Sequence, residues 1–269
     1  MASCSSACAA CWSGLLGGGQ NAGHQEDKPT VCRLVYHGGL PMVTNDVTEG
    51  GMPGYSGLVK NETIGFGQIT LQIETWPDYR IGASHWPSGR LLAKALAESA
   101  FPGLLPEIEG RTVLELGAGP GLPSMVCGKL GAASVVLTDL VELLPLMNRN
   151  LELNGLLNTC RVDVLDWDGA AASPHSVASR HRSGDAALDI LLAADVVYIE
   201  EQEPLIEALV ALMKPGHTQL VLAYKNRNPG DRRYLQERIL PRLDGVRFAE
   251  FSTPEDGRTE LYVGHLRHL

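Results

Sequence analysis

The chain has 269 residues, 44% of them hydrophobic, enough for one large domain, or one domain plus an extension, with a substantial core. A net charge of −9 and a pI near 5.4 argue against a dedicated nucleic-acid binder, which needs a basic face for the phosphate backbone. No apolar run reaches the roughly 18 residues of a membrane span. The first 23 residues carry none of the Lys or Arg that secretory and organelle signals contain, so the cytoplasm is the expected location.

Residues 1 to 60 hold Gly17-Gly18-Gly19, Gly38-Gly39 and Gly50-Gly51 with little periodicity, and they read as a disordered or loosely docked extension. Cys4, Cys8 and Cys11 have a spacing used for iron–sulfur clusters, but no repeated barrel follows, and they read as part of that tail. Cys127 and Cys160 sit in apolar contexts and read as reduced core residues.

The domain, residues 61–269, opens with a strand or hairpin over Glu62 to Glu74, where Ile69, Leu71 and Ile73 alternate with polar residues. A turn from Ile81 to Gly89 leads into a helix at Arg90–Ser99. Strands and helices then alternate. The spacing predicts strands at Thr112–Leu116, Ser134–Thr138, Arg161–Leu165, Asp189–Ala194 and Thr218–Tyr224. Helices are predicted after the first glycine-rich turn up to Leu130, and at Leu140–Leu153, Glu203–Met213 and Arg232–Leu240. Two closing strands, Val246–Phe251 and Glu260–Leu266, complete an α/β mixed sheet with helices on both faces. Gly169–Ala187 reads as an inserted loop, and its His175 and His181 make no convincing metal site; no metal is expected.

The strongest chemical signal is Glu115-Leu116-Gly117-Ala118-Gly119-Pro120-Gly121, straight after a buried strand. Its glycines let backbone approach a ligand and turn into a helix. Asp139 ends the next strand twenty residues after Gly119, placed to accept hydrogen bonds from two ribose hydroxyls. Glu115 adds negative charge that would repel a pyrophosphate and suits a ligand bearing a sulfonium and an ammonium. S-adenosylmethionine fits this set better than a dinucleotide. Asp166 and Trp167 follow the third strand at the depth of an adenine pocket, and Ala194, Asp195 and Tyr198 end the fourth, facing the crevice.

Taken together these motifs resemble the seven-β-strand, Rossmann-like methyltransferases of the protein-lysine branch, the methyltransferase-like 21 type. The resemblance runs from about Glu62 to the C-terminus and rests on Gly82-to-Ser88, Glu115-to-Gly121, Asp139, Leu165-Asp166-Trp167 and the D-x-x-Y run Asp195-to-Tyr198. It implies a seven-stranded sheet and S-adenosylmethionine as methyl donor. Trp86 would lean on it, Gly117, Ala118 and Gly119 wrap its methionine end, Asp139 hold the ribose, Trp167 the adenine, and Ala194 form the inner wall. One departure is Pro123, where the family has a small or β-branched residue; a first helical turn tolerates it. The implied substrate is a lysine-bearing protein, with Asp195 and Tyr198 orienting the acceptor amine, and the enzyme is expected as a monomer; the alternatives on the same fold are a methyltransferase acting on a small molecule or another residue type, and a non-catalytic interaction protein.

Overall fold

The computed structural model describes residues 33–37, 40–44, 57–168, 188–198 and 203–268, and the chain divides into two units, Met1–Gly54 and Tyr55–Leu269. In the first, β1 (Arg33–His37) and β2 (Leu40–Thr44) pair antiparallel, from Arg33 opposite Thr44 to His37 opposite Leu40. The sequence reading predicts no element there, although a Gly-Gly pair between two short apolar runs is a hairpin signal. Cys4, Cys8, Cys11 and Cys32, and the loop Gly169–Ala187 with its two histidines, lie outside the described residues. Cys127 and Cys160 are free and buried, as expected.

The second unit begins with a hairpin of β3 (Lys60–Phe66) and β4 (Ile69–Thr75), which buries Leu71 and Ile73. Helix α1 (Pro87–Ala97) starts three residues earlier than predicted, because Pro87 supplies a helical φ at a position whose N–H needs no partner. The next elements are β5 (Thr112–Leu116), α2 (Leu122–Lys129), β6 (Ser134–Asp139), α3 (Leu144–Leu153) and β7 (Cys160–Val164). Pro123 sits in the first turn of α2, and Pro145 delays α3 behind a short 3-10 turn at Val141–Leu143. Then come β8 (Ile190–Ala194), α4 (Glu203–Leu212), β9 (Gln219–Tyr224) and α5 (Pro229–Tyr234). Helix α5 also starts early: the Asn228 side chain accepts from Asp231 N–H at 2.9 Å and caps it.

The seven-stranded sheet runs β10 (Leu243–Thr253), β11 (Gly257–Leu266), β9, β8, β5, β6, β7. The five from β9 to β7 are parallel, and β11 inserts antiparallel between β9 and β10. Strand alternation divides the core between the two faces. Leu114, Leu116, Leu191, Ala193, Leu220 and Leu222 pack with Leu205, Leu209 and Leu212 of α4. The intervening Val113, Leu192 and Val221 are equally buried on the opposite side, that of α1 and α2. Among the described residues no helix is long and apolar enough to cross a membrane.

Candidate active site

The carboxyl ends of parallel strands open into one cavity of about 690 Å³, within the size range of small-molecule sites. Gly117 comes from the end of β5, Asp139 from β6, Asp166 and Trp167 from β7, and Ala194, Asp195 and Tyr198 from β8. Trp86, from the turn before α1, closes one side. Residues scattered over more than a hundred positions of sequence thus meet in one place because the sheet is parallel.

Gly117 has φ +60°, and a Cβ there would come within 3.3 Å of Trp167 Cζ2 and Val196 Cγ1. Only a glycine keeps that floor clear. Asp139 Oδ2 accepts from Gly119 N–H at 2.9 Å and Oδ1 from Leu140 N–H at 2.8 Å, which fixes the carboxylate and leaves further lone pairs for hydroxyl donors. Burial raises its pKa to about 6, against the lowering effect of those two N–H bonds. Trp167 packs against the core, and Asp166 accepts from Asp168 N–H at 3.1 Å. Such a set fits a nucleoside with an attached charged chain, as S-adenosylmethionine requires: a carboxylate for ribose, an aromatic wall for adenine and a bare backbone turn.

Three predicted residues do not line the cavity. Ala118 is buried, its N–H donating to Thr138 O at 2.9 Å. Gly119 acts one step back, holding Asp139, and a Cβ there would meet Gly82 O at 2.7 Å. Glu115 is the larger correction. It lies mid-strand with parity opposite to Leu114 and Leu116, so its side chain points under α2, where it accepts from Ser124 N–H at 3.0 Å and from the Ser124 hydroxyl. Its charge therefore does not face a sulfonium.

Burial raises the Glu115 pKa from 4.5 to about 8. The native state then keeps a proton that the unfolded chain releases, so this group's contribution to stability is full below pH 4.5 and is lost as pH rises towards about 8. Glu115→Gln is expected to flatten this fall in melting temperature; identical slopes in wild type and variant would refute it.

Asp195 also differs from expectation. Its backbone is left-handed at φ +60°, and its buried carboxylate is gripped by Arg227, Nη1 to Oδ1 and Nη2 to Oδ2, both at 2.7 Å. Ser88 N–H, in the first turn of α1, approaches Oδ2 at 3.4 Å. The carboxylate is thus one half of an ion pair and a partial helix cap, since a buried charge needs partners. Arg227 stacks over the Trp86 ring at 5.4 Å, while Trp86 Nε1 donates to Ile81 O at 2.9 Å. Tyr198, exposed to 40%, stands on the same wall. Burial and the Asp139 charge raise its pKa, keeping the hydroxyl protonated.

Arg227 is a site residue that the sequence reading misses. It lies three residues past the end of β9, on the same crevice side of the sheet that Asp195 takes directly after β8. Gly82 lies in the turn before α1; a Cβ there would strike Leu143 Cδ1 at 2.7 Å, so the turn lies close against the segment after β6.

Fold and cavity together define an S-adenosylmethionine-dependent methyltransferase. A family described as lysine methyltransferase matches residues 66–239, and the chain belongs to that family. It is similar to protein-lysine N-methyltransferase EFM6 of Saccharomyces cerevisiae, 31% identical over 204 residues that cover 70% of this chain and 79% of the relative. It is also similar to protein N-lysine methyltransferase METTL21A of Danio rerio, 27% identical over 168 residues, 61% of this chain and 70% of the relative. Among solved structures, the T. Thermophilus 16S rRNA N2 G1207 methyltransferase bound to AdoMet and guanosine shares the fold, with TM-score 0.51 and 20% identity over 88% of this chain and 58% of that one.

Proposed function

We propose that this chain methylates the ε-amine of a lysine on a cytoplasmic protein, using S-adenosylmethionine, and works as a monomer. The observation that carries the reading is the joining of two subsites in one cavity, a ribose-type carboxylate at Asp139 and the Asp195-to-Tyr198 wall. S-adenosylmethionine supplies an electrophilic methyl group. The protein supplies position: Asp139 and Trp167 would hold the nucleoside, and the Gly117 backbone and Ala194 would leave room for the reacting end. Trp86 and Tyr198 would shape the entry for the amine. Holding nucleophile and methyl in line at near-attack distance accounts for much of the rate in such reactions.

Tritiated S-adenosylmethionine, incubated with the protein and a cell lysate, should leave its label in methyllysine after hydrolysis. Tyr198→Phe removes one orienting hydroxyl, so methyllysine formation should fall about tenfold while cofactor affinity stays within about twofold. A parallel loss of cofactor binding would make Tyr198 part of the cofactor site instead.

A further inference from the structure

The Arg227–Asp195 pair poses a chemical question for a lysine-modifying site, since it places a permanent cation beside the entry for a cationic side chain. Methyl transfer needs a neutral amine: the ammonium first gives a proton to water. The nitrogen lone pair then forms the new N–C bond as the methyl–sulfur bond breaks. That bond's electron pair stays on sulfur, and the product is a methylated ammonium. An isolated carboxylate within ~4–6 Å of the amine would oppose the first step, raising the amine pKa by about 1–3 pH units.

We infer that Arg227 is a positioning residue that sets the charge of the acceptor entry: by holding Asp195 fork to fork it cancels the carboxylate's pull on an ammonium and favours the neutral amine. The inference rests on the lysine reading above. Both Asp195 oxygens are taken by guanidinium N–H groups at 2.7 Å, and the planar fork cannot lose its charge. Trp86 holds the guanidinium from its face and Ser88 N–H approaches Oδ2, so the pair is fixed by α1 as well as by β8 and the segment after β9.

Several other charged groups surround the cavity. Asp139 is held by two backbone N–H groups, Asp166 accepts from Asp168 N–H on the β7 side, and Arg80 pairs with Glu142 at 2.9 Å. Asp168 and Tyr198 complete the titratable lining, and Tyr224 and Asp231 face Arg227 from β9 and α5. On the wall formed with Trp86 and Tyr198 the charges are those of the Asp195–Arg227 pair.

The test is the pH profile of methyllysine formation in the full-length chain, with tritiated S-adenosylmethionine and lysate protein as acceptor. Arg227→Gln leaves the carboxylate alone, so the profile's midpoint should move at least about one pH unit alkaline, with the lost rate recovered at high pH. Asp195→Asn leaves the guanidinium alone and should move the midpoint the other way. Arg227→Gln combined with Asp195→Asn should bring it back. A merely structural role would lower the rate equally at every pH. Should Arg227→Gln fail to fold, the acid displacement in Asp195→Asn still decides, because that variant keeps no orphaned buried carboxylate. Methyllysine formed with coincident midpoints would overturn this inference alone. Label recovered outside lysine would overturn the lysine reading and this inference with it.

Discussion

Replacing Asp139 by Ala should weaken S-adenosylmethionine binding about 10- to 100-fold, the worth of roughly 1.5–3 kcal/mol in hydrogen bonds to a charged acceptor. The carboxylate is preorganised, with one oxygen on Gly119 N–H and the other on Leu140 N–H, so the cofactor would spend nothing on ordering it. The fold should survive, since the side chain sits at the end of β6 and lines the cavity, outside the apolar core. A second observable comes from its titration. Burial lifts the pKa from 3.8 to about 6, so the acceptor form dominates above that value and is lost below it. Wild-type affinity should thus fall as the pH drops through about 6, whereas Asp139→Ala and Asp139→Asn should lack this step. Calorimetry across that range checks both. Unchanged affinity in Asp139→Ala, or a step that persists in it, would remove the ribose role.

What the sequence made legible was whatever is local. The β5 strand is read to the residue, and the Gly117 turn and Asp139 fall where a parallel sheet brings them together. Eight of the predicted site residues line the cavity: Trp86, Gly117, Asp139, Asp166, Trp167, Ala194, Asp195 and Tyr198. Glu115 went astray through parity. Its neighbours Leu114 and Leu116 share one face of the strand, so alternation alone turns it away from the crevice mouth and under α2. The Asp195–Arg227 pair was out of reach for another reason: the two are separated by 32 positions, and neither carries a local pattern naming its partner. Helix starts were missed by a few residues at Pro87 and Pro229, where the first turn contains no apolar periodicity and only the proline marks it.

The attachment of the β3–β4 hairpin was equally invisible, and it yields the largest expected loss of stability. Asn150 on α3 and Asn154 at its C-cap are one turn apart, and each uses its amide as a short piece of strand. Asn150 Oδ1 accepts from Glu74 N–H at 2.7 Å and its Nδ2 donates to Glu74 O at 3.0 Å; Asn154 does the same with Gln72 at 2.9 and 2.7 Å. The match is geometric. Four residues of helix rise about 6 Å and two of strand about 6.8 Å, so consecutive amides meet alternate residues of β4. Asn150 is fully buried and also donates to Pro120 O at 3.0 Å, which ties the hairpin to the glycine-rich turn. Asn150→Ala would therefore strand three buried backbone groups at about 1–3 kcal/mol each, a loss of at least ~3 kcal/mol. For a domain of this size that is a fall in melting temperature of roughly 6–12 °C. Asn154→Ala removes the same kind of pairing where water can replace it, and should cost only about 1 kcal/mol. Losses of equal size at the two positions would show that burial does not decide the matter. Cofactor affinity offers a separate check. In whatever fraction of Asn150→Ala remains folded it should also drop, because Pro120 belongs to the turn that ends at the cavity floor; affinity equal to wild type would mean that the turn holds its shape without the asparagine.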